Sequence, residues 1–140
     1  MQPDQARLAD TAAWLAKARL DLRSAEHALT ASEPLHEDVA FHSQQAVEKS
    51  FKALLTLHDI PFRKTHSIEE LGRQCLTIDP SLRTLVDQAA PLSQYAWRFR
   101  YPGEEVQPTA DEARESLQIA RQVFGAILDR LPPDAHPKTR

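Results

Sequence analysis

The chain has 140 residues, 41% of them apolar and 26% charged, which fits one ordinary globular domain. A formal net charge of −3 gives no global pull toward nucleic acid, so contact with a polyanion needs a local basic patch. Three scattered glycines exclude a glycine-rich phosphate loop, and a single cysteine excludes an internal disulfide or a cysteine-based zinc cluster.

Helical spacing runs through the whole chain, with no alternating strand pattern. A first helix is expected over residues 4–31, where Trp14, Ala18, Leu22, Ala25 and Leu29 share a face while Lys17, Asp21 and Arg23 fall toward water. Pro34 suits the first turn of a second helix, over about residues 35–58. Its two adjacent apolar rows, Val39, Ala46, Ala53, Leu57 and Ala40, Val47, Phe51, Leu54, mark it as the central helix. A loop around Pro61 leads to a short helix over residues 68–76, announced by a capping-box pattern at Ser67 and Glu70.

Asp79-Pro80-Ser81 marks a turn. The next segment, over residues 81–97, is interrupted by Pro91 and should form two short pieces or one bent helix. A second capping box, Thr109 with Glu112, opens a helix over residues 110–131 that Pro132-Pro133 stops. The expectation is a single all-α domain over residues 1–131, an up-and-down bundle of four to five helices, followed by a disordered tail over residues 132–140.

Two places concentrate chemistry. His42, Gln45, Lys49, Lys52 and Thr56 line one stripe of the second helix, with Glu48 placed to pair with Lys52. That stripe is either a polar seam facing a ligand or a second subunit, or a solvated helix face. Arg98-Phe99-Arg100-Tyr101-Pro102-Gly103 sets two guanidiniums among aromatic rings, Trp97 included, ahead of a helix N-terminus. Arginine grips phosphate and an aromatic ring stacks on a base, so this loop is either a phosphate and base contact or packing at the bundle end. Glu33 and His36 give one E-x-x-H pair across a loop, far short of a di-iron set, so no metal and no cofactor are expected. Cys75 reads as a small buried side chain, and His66 as an anchor for the start of the third helix.

The run His42-Ser43-Gln44-Gln45-Ala46-Val47-Glu48-Lys49-Ser50-Phe51-Lys52-Ala53-Leu54-Leu55 resembles the second-helix signature of HEPN domains, the higher eukaryote and prokaryote nucleotide-binding domains. Thr65-His66-Ser67 followed by Leu71 is similar to that family's T-H-S/T-x-x-x-L step, and Arg100-Tyr101-Pro102-Gly103 to its R-Y-P element. The opening stretch from Trp14 to Leu29 resembles its first helix, so the likeness covers roughly residues 9–131. The resemblance implies a helical bundle that pairs as a homodimer. Many of its members are metal-independent ribonucleases, and others have lost catalysis and serve as partners of a minimal nucleotidyltransferase in toxin–antitoxin-like pairs. The nuclease motif is an arginine, four to six residues, then a histidine.

No histidine follows Arg98 or Arg100 at that spacing. Metal-free RNA cleavage needs a base for the 2′-hydroxyl proton, which arginine, always protonated, does not supply. The one formal match, Arg130 and His136, straddles Pro132-Pro133 and reads as chance. The expected function is therefore a cytoplasmic nucleotide- or RNA-binding module without the usual ribonuclease centre, a homodimer with a nucleotidyltransferase protein as possible partner and no tie to a membrane. Gln45, Lys49, Lys52, Arg98, Arg100 and Tyr101 are its candidate ligand contacts, with Trp97 or Tyr101 placed to stack on a base. The alternative is a metal-independent endoribonuclease toxin in which Arg100 holds phosphate and His42 or His66 serves as base. A second alternative is a purely structural dimeric assembly module, with Lys49 and Lys52 in solvent or in ion pairs.

Overall fold

A computed structural model describes residues 3–97, 102 and 107–138. Its helices are α1 (Gln5–Thr30), α2 (His36–Leu57), α3 (Ile68–Leu76), α4 (Arg83–Ala89) and α5 (Ala110–Leu128). Short 3-10 turns lie at Pro80–Leu82, Ala90–Ala96 and Pro133–Ala135. The described residues contain no strand, so the all-α bundle stands.

At α1, α3 and α5 the helix start follows from a side chain that satisfies an otherwise orphaned backbone N–H group. Asp4 caps α1 by accepting from the Arg7 N–H at 2.7 Å. Thr109 and Glu112 form both arms of the expected capping box on α5, at 3.0 and 2.9 Å. At α3 only one arm forms. Ser67 accepts from the Glu70 N–H at 3.1 Å, while the Glu70 carboxylate turns outward to a two-point pairing with Arg63, both contacts 2.8 Å.

α1 and α2 make an antiparallel hairpin with the most extensive contact in the bundle. Its register is visible in pairs that run in opposite order along the two helices. Leu35 donates its N–H to the Ala28 carbonyl, Asp21 meets His42, the Lys52 ammonium lies over the Trp14 ring, and Arg7 approaches Asp59. α2 also packs on α5, on α3 and on the 3-10 turn Ala90–Ala96, which makes it the central element. Leu15, Phe51, Leu54, Leu55, Ile68, Leu71, Leu117 and Ile127 are fully enclosed around it. Burial on three sides, not helix propensity, holds such a helix in place.

Pro91 acts as expected: the helix that starts at Arg83 gives way to 3-10 geometry from Ala90. α3 and α4 touch where Gly72 meets Val86. A Cβ built on Gly72 would lie 2.6 Å from Val86 Cγ1, so glycine sets how closely the two helices approach.

Two expectations change. Of the tail expected to be disordered over residues 132–140, residues 132–138 are described. Pro133–Ala135 forms a 3-10 turn, Ala135 is fully buried, and the His136 ring lies 3.1 Å from the carbonyls of Leu128 and Leu131. Arg19 of α1 donates to the Lys138 carbonyl, which ties this strap down at its far end. The second change is Asp21, expected in water, which is 7% exposed. Partners on α2 satisfy its carboxylate inside the hairpin.

Candidate functional site

The stripe on α2 is neither a solvated face nor an open cationic seam. It is a line of polar side chains held by two carboxylates, and each carboxylate grips one imidazole and one ammonium.

The first hub is Asp21 on α1. Its Oδ1 lies 2.8 Å from Nδ1 of His42, and its Oδ2 accepts from Nζ of Lys49 at 2.7 Å. His42 and Lys49 sit seven residues apart, two turns of α2, so both face α1. The Lys49 side chain keeps 22% of its surface and that of His42 30%.

Glu48 on α2 is the second hub, with a side chain 4% exposed. Oε2 accepts from Nζ of Lys52 at 2.8 Å, and Oε1 accepts from Nε2 of Gln44 at 2.9 Å. The same Oε1 lies 2.9 Å from Nδ1 of His66, on the loop that enters α3. Burial pushes the Glu48 carboxyl up, but the hydrogen bonds from Lys52, His66 and Gln44 and the charge of Lys52 outweigh it and hold the carboxyl below its ordinary value. Glu48 is therefore a carboxylate. Lys52, 8% exposed, is walled by aromatics: its Nζ lies 5.3 Å from the Trp14 ring centre and 5.7 Å from that of Phe62. Trp14 and Phe62 meet edge to face at 6.1 Å.

The candidate contacts fall out unevenly. Gln45 is half-buried and donates Nε2 to Oε1 of Gln44 at 2.6 Å, which extends the Glu48 hub by one residue. Lys49 and Lys52 have carboxylates as partners, one of the two placements expected of a purely structural assembly module. His42 and His66 are each seated on a carboxylate through Nδ1. Trp97 is 58% exposed at the end of its 3-10 turn. Arg98, Arg100 and Tyr101 lie outside the described residues.

Arg130 and His136 serve the frame. Nε of Arg130 donates to Asp79 Oδ2 at 2.6 Å, and its other nitrogens donate to the Ala126 carbonyl and to Ser81 Oγ. His136 Nε2 faces two backbone carbonyls. Carbonyls only accept, so that nitrogen carries a proton and is spent on closing the end of α5.

Asp21 and Gln44 are the polar residues that pattern reading missed. Asp21 carried a usable signal, because it lies three residues after Ala18 and four before Ala25, inside the apolar stripe. Gln44 is fully enclosed, with its amide between Glu48 and Gln45 on its own helix and the His66 carbonyl of the α2–α3 loop.

Among the described residues no group of three or more His, Cys, Asp or Glu side chains is arranged to hold a metal ion. Cys75 is enclosed against the Phe51 carbonyl, and burial pushes its thiol up to about 12, which leaves it inert. No described helix is long and apolar enough to cross a membrane.

Comparison with known proteins bears on the family and the fold. The family model described as HEPN domain matches residues 11–131. The chain is 32% identical over 134 residues to the Methanocaldococcus jannaschii protein named "Putative toxin MJ1304", covering 81% of this chain and 88% of that one. The crystal structure of TT1696 from Thermus thermophilus superposes with a TM-score of 0.73 at 26% identity, over 88% of this chain and 99% of the other. With a family match across nearly the whole bundle and a relative 32% identical over most of both chains, the chain belongs to the HEPN domain family.

Proposed function

We propose that this chain is a HEPN module that binds a nucleotide or RNA as one half of a toxin–antitoxin-type pair. In this reading it is a homodimer, its cognate partner is a minimal nucleotidyltransferase, and it has no ribonuclease centre of its own. The toxin-type context comes from the relative named as a toxin, which aligns over most of both chains.

One observation carries the non-catalytic part. The chain's single arginine, five residues, histidine spacing falls at Arg130 and His136, and both are committed to structural bonds. The guanidinium is held by Asp79 and Ser81, and the imidazole donates to backbone carbonyls. A nitrogen that already carries a proton in a carbonyl bond is no base for a 2′-hydroxyl.

The test is a metal-free incubation of nuclease-clean protein with RNA, read for both binding and cleavage. Saturable binding with intact RNA is the expected result. Cleavage that disappears in Arg100→Ala and in His42→Ala or His66→Ala overturns this reading in favour of an endoribonuclease. No binding heat with either nucleotides or RNA leaves a pure assembly module. Sedimentation is expected to give about twice the chain mass of 15.8 kDa, and co-purification with the product of an adjacent nucleotidyltransferase reading frame tests the pairing.

A further inference from the structure

We propose that the ligand-facing group of the α2 seam is His66, not the lysines, with its Nε2 accepting a hydrogen bond from a ribose hydroxyl of a bound ribonucleotide and Glu48 acting as the positioning residue. The inference rests on the nucleotide- or RNA-binding reading above and names the contact within it.

The lysines are removed first. Nζ of Lys52 lies between Glu48, Trp14 and Phe62 with 8% of the residue exposed, and Lys49 is held by Asp21. Each ammonium is already neutralised by a carboxylate at 2.7–2.8 Å, so an incoming phosphate meets a shared charge at Lys49 and an enclosed one at Lys52.

His66 is different. Its side chain is 67% exposed while its partner Glu48 is 4% exposed, so a water-facing ring is mounted on a buried charge. The mount is stiff. The His66 carbonyl lies 3.5 Å from Nε2 of Gln44, the Ser67 side chain caps α3, and the next N–H, from Ile68, donates to Ser93 Oγ at 2.8 Å. An exposed histidine on an ordinary loop samples several rotamers. This one is held in place ahead of binding, which lowers the entropy lost when a ligand docks.

The hub also sets the tautomer. A carboxylate only accepts, so the proton lies on Nδ1. In the neutral form of such a ring the lone pair is on Nε2, and Nε2 has no hydrogen-bond partner among the described residues. A lone pair does not complement the acceptor oxygens of a phosphate. It does complement a hydroxyl, and the 2′-hydroxyl is the donor that separates ribose from deoxyribose.

The experiment compares an RNA and a 2′-deoxy oligonucleotide of one sequence, at pH 8, above the ordinary imidazole range. Wild-type protein is expected to prefer the ribo-oligonucleotide by roughly 3- to 10-fold, the worth of one neutral hydrogen bond. His66→Phe keeps a planar ring, sits at an exposed position and should abolish that preference while leaving deoxy binding unchanged; His27→Ala should leave both unchanged. Nitrogen-15 NMR of the His66 ring should report the Nδ1–H tautomer in wild type. Glu48→Gln, whose amide can also donate, should lose the tautomer bias together with the ribose preference. A preference that survives His66→Phe, or a loss equal for both oligonucleotides, overturns the His66 contact and leaves the binding reading standing. No binding of either oligonucleotide by wild type overturns both.

Discussion

Glu48 and Lys52, one turn apart on α2, form an ion pair at 2.8 Å that is almost wholly removed from water. Such a pair adds little net stability, since desolvating both charges costs about what their attraction returns. Removing one partner is a different matter. Glu48→Ala strands the Lys52 ammonium between two aromatic rings, and the expected loss is about 3 kcal/mol in urea unfolding. Glu48→Ala combined with Lys52→Met should recover most of it.

The acid limb of stability follows from carboxylates held below their ordinary values, among the described residues Glu48, Asp79 and, through its pairing with Arg63, the exposed Glu70. Glu48 is lowered for the reasons given above. Asp79 is lowered to about 2, first by the Ser81 hydroxyl, then by the Arg130 guanidinium and the Ser81 N–H. A carboxyl depressed in the folded state contributes stability above its unfolded value and loses it as pH falls through the folded one. Stability from Asp79 is thus expected to be intact at pH 5 and to drain away from about pH 4 toward pH 2. The midpoint of thermal unfolding, followed from pH 6 to pH 2, should fall less steeply in Asp79→Asn than in wild type.

Ser43 offers a gain. Its residue is fully buried on α2 and its hydroxyl oxygen has no hydrogen-bond partner among the described residues. An orphaned buried hydroxyl has been desolvated without compensation. Ser43→Ala is expected to stabilise the fold by about 1 kcal/mol, seen as a higher urea midpoint with an unchanged slope.

Two helical glycines should answer the same substitution with opposite signs. At Gly125 a Cβ would meet nothing within 4 Å, so Gly125→Ala on α5 should add up to about 1 kcal/mol through helix propensity. At Gly72 the added methyl would meet Val86 Cγ1 at 2.6 Å and Cγ2 at 3.2 Å, and a β-branched neighbour has little room to turn away. Gly72→Ala is expected to cost about 1–3 kcal/mol. The Gly72→Ala, Val86→Ala double variant should be more stable than the sum of the single changes, as a double-mutant cycle would show.

What the sequence discloses here is what neighbours in the chain decide. The apolar rows of α2, the break at Pro91 and the Thr109–Glu112 capping box involve residues within a few positions of one another, and they are legible as patterns. So is the Glu48–Lys52 pair, one helical turn in length. The rest of the seam is made across distance. Asp21 reaches His42 over 21 positions and Lys49 over 28, and Glu48 reaches His66 over 18. A helix-face count places Asp21 in the apolar stripe but cannot supply the partners that make its burial tolerable. The half-formed cap at Ser67 has the same origin, because Glu70 had a competitor in Arg63 seven positions upstream. Arg98, Arg100 and Tyr101, central to the sequence-based binding surface, lie outside the described residues.

The strap that follows α5 has a consequence for where the cooperative folding unit stops. Pro132 and Pro133 end the helix, yet Ala135 is as enclosed as any core alanine and His136 closes the carbonyl end of α5. Leu8 and Ala12 of α1 line the groove that the strap borders. A shortened chain cut after Leu131 keeps every long helix but bares that flank of α1 and leaves the Leu128 and Leu131 carbonyls to water. Such a deletion should melt earlier than the intact protein, and the amide protons at both ends it unties, early in α1 and late in α5, should exchange faster.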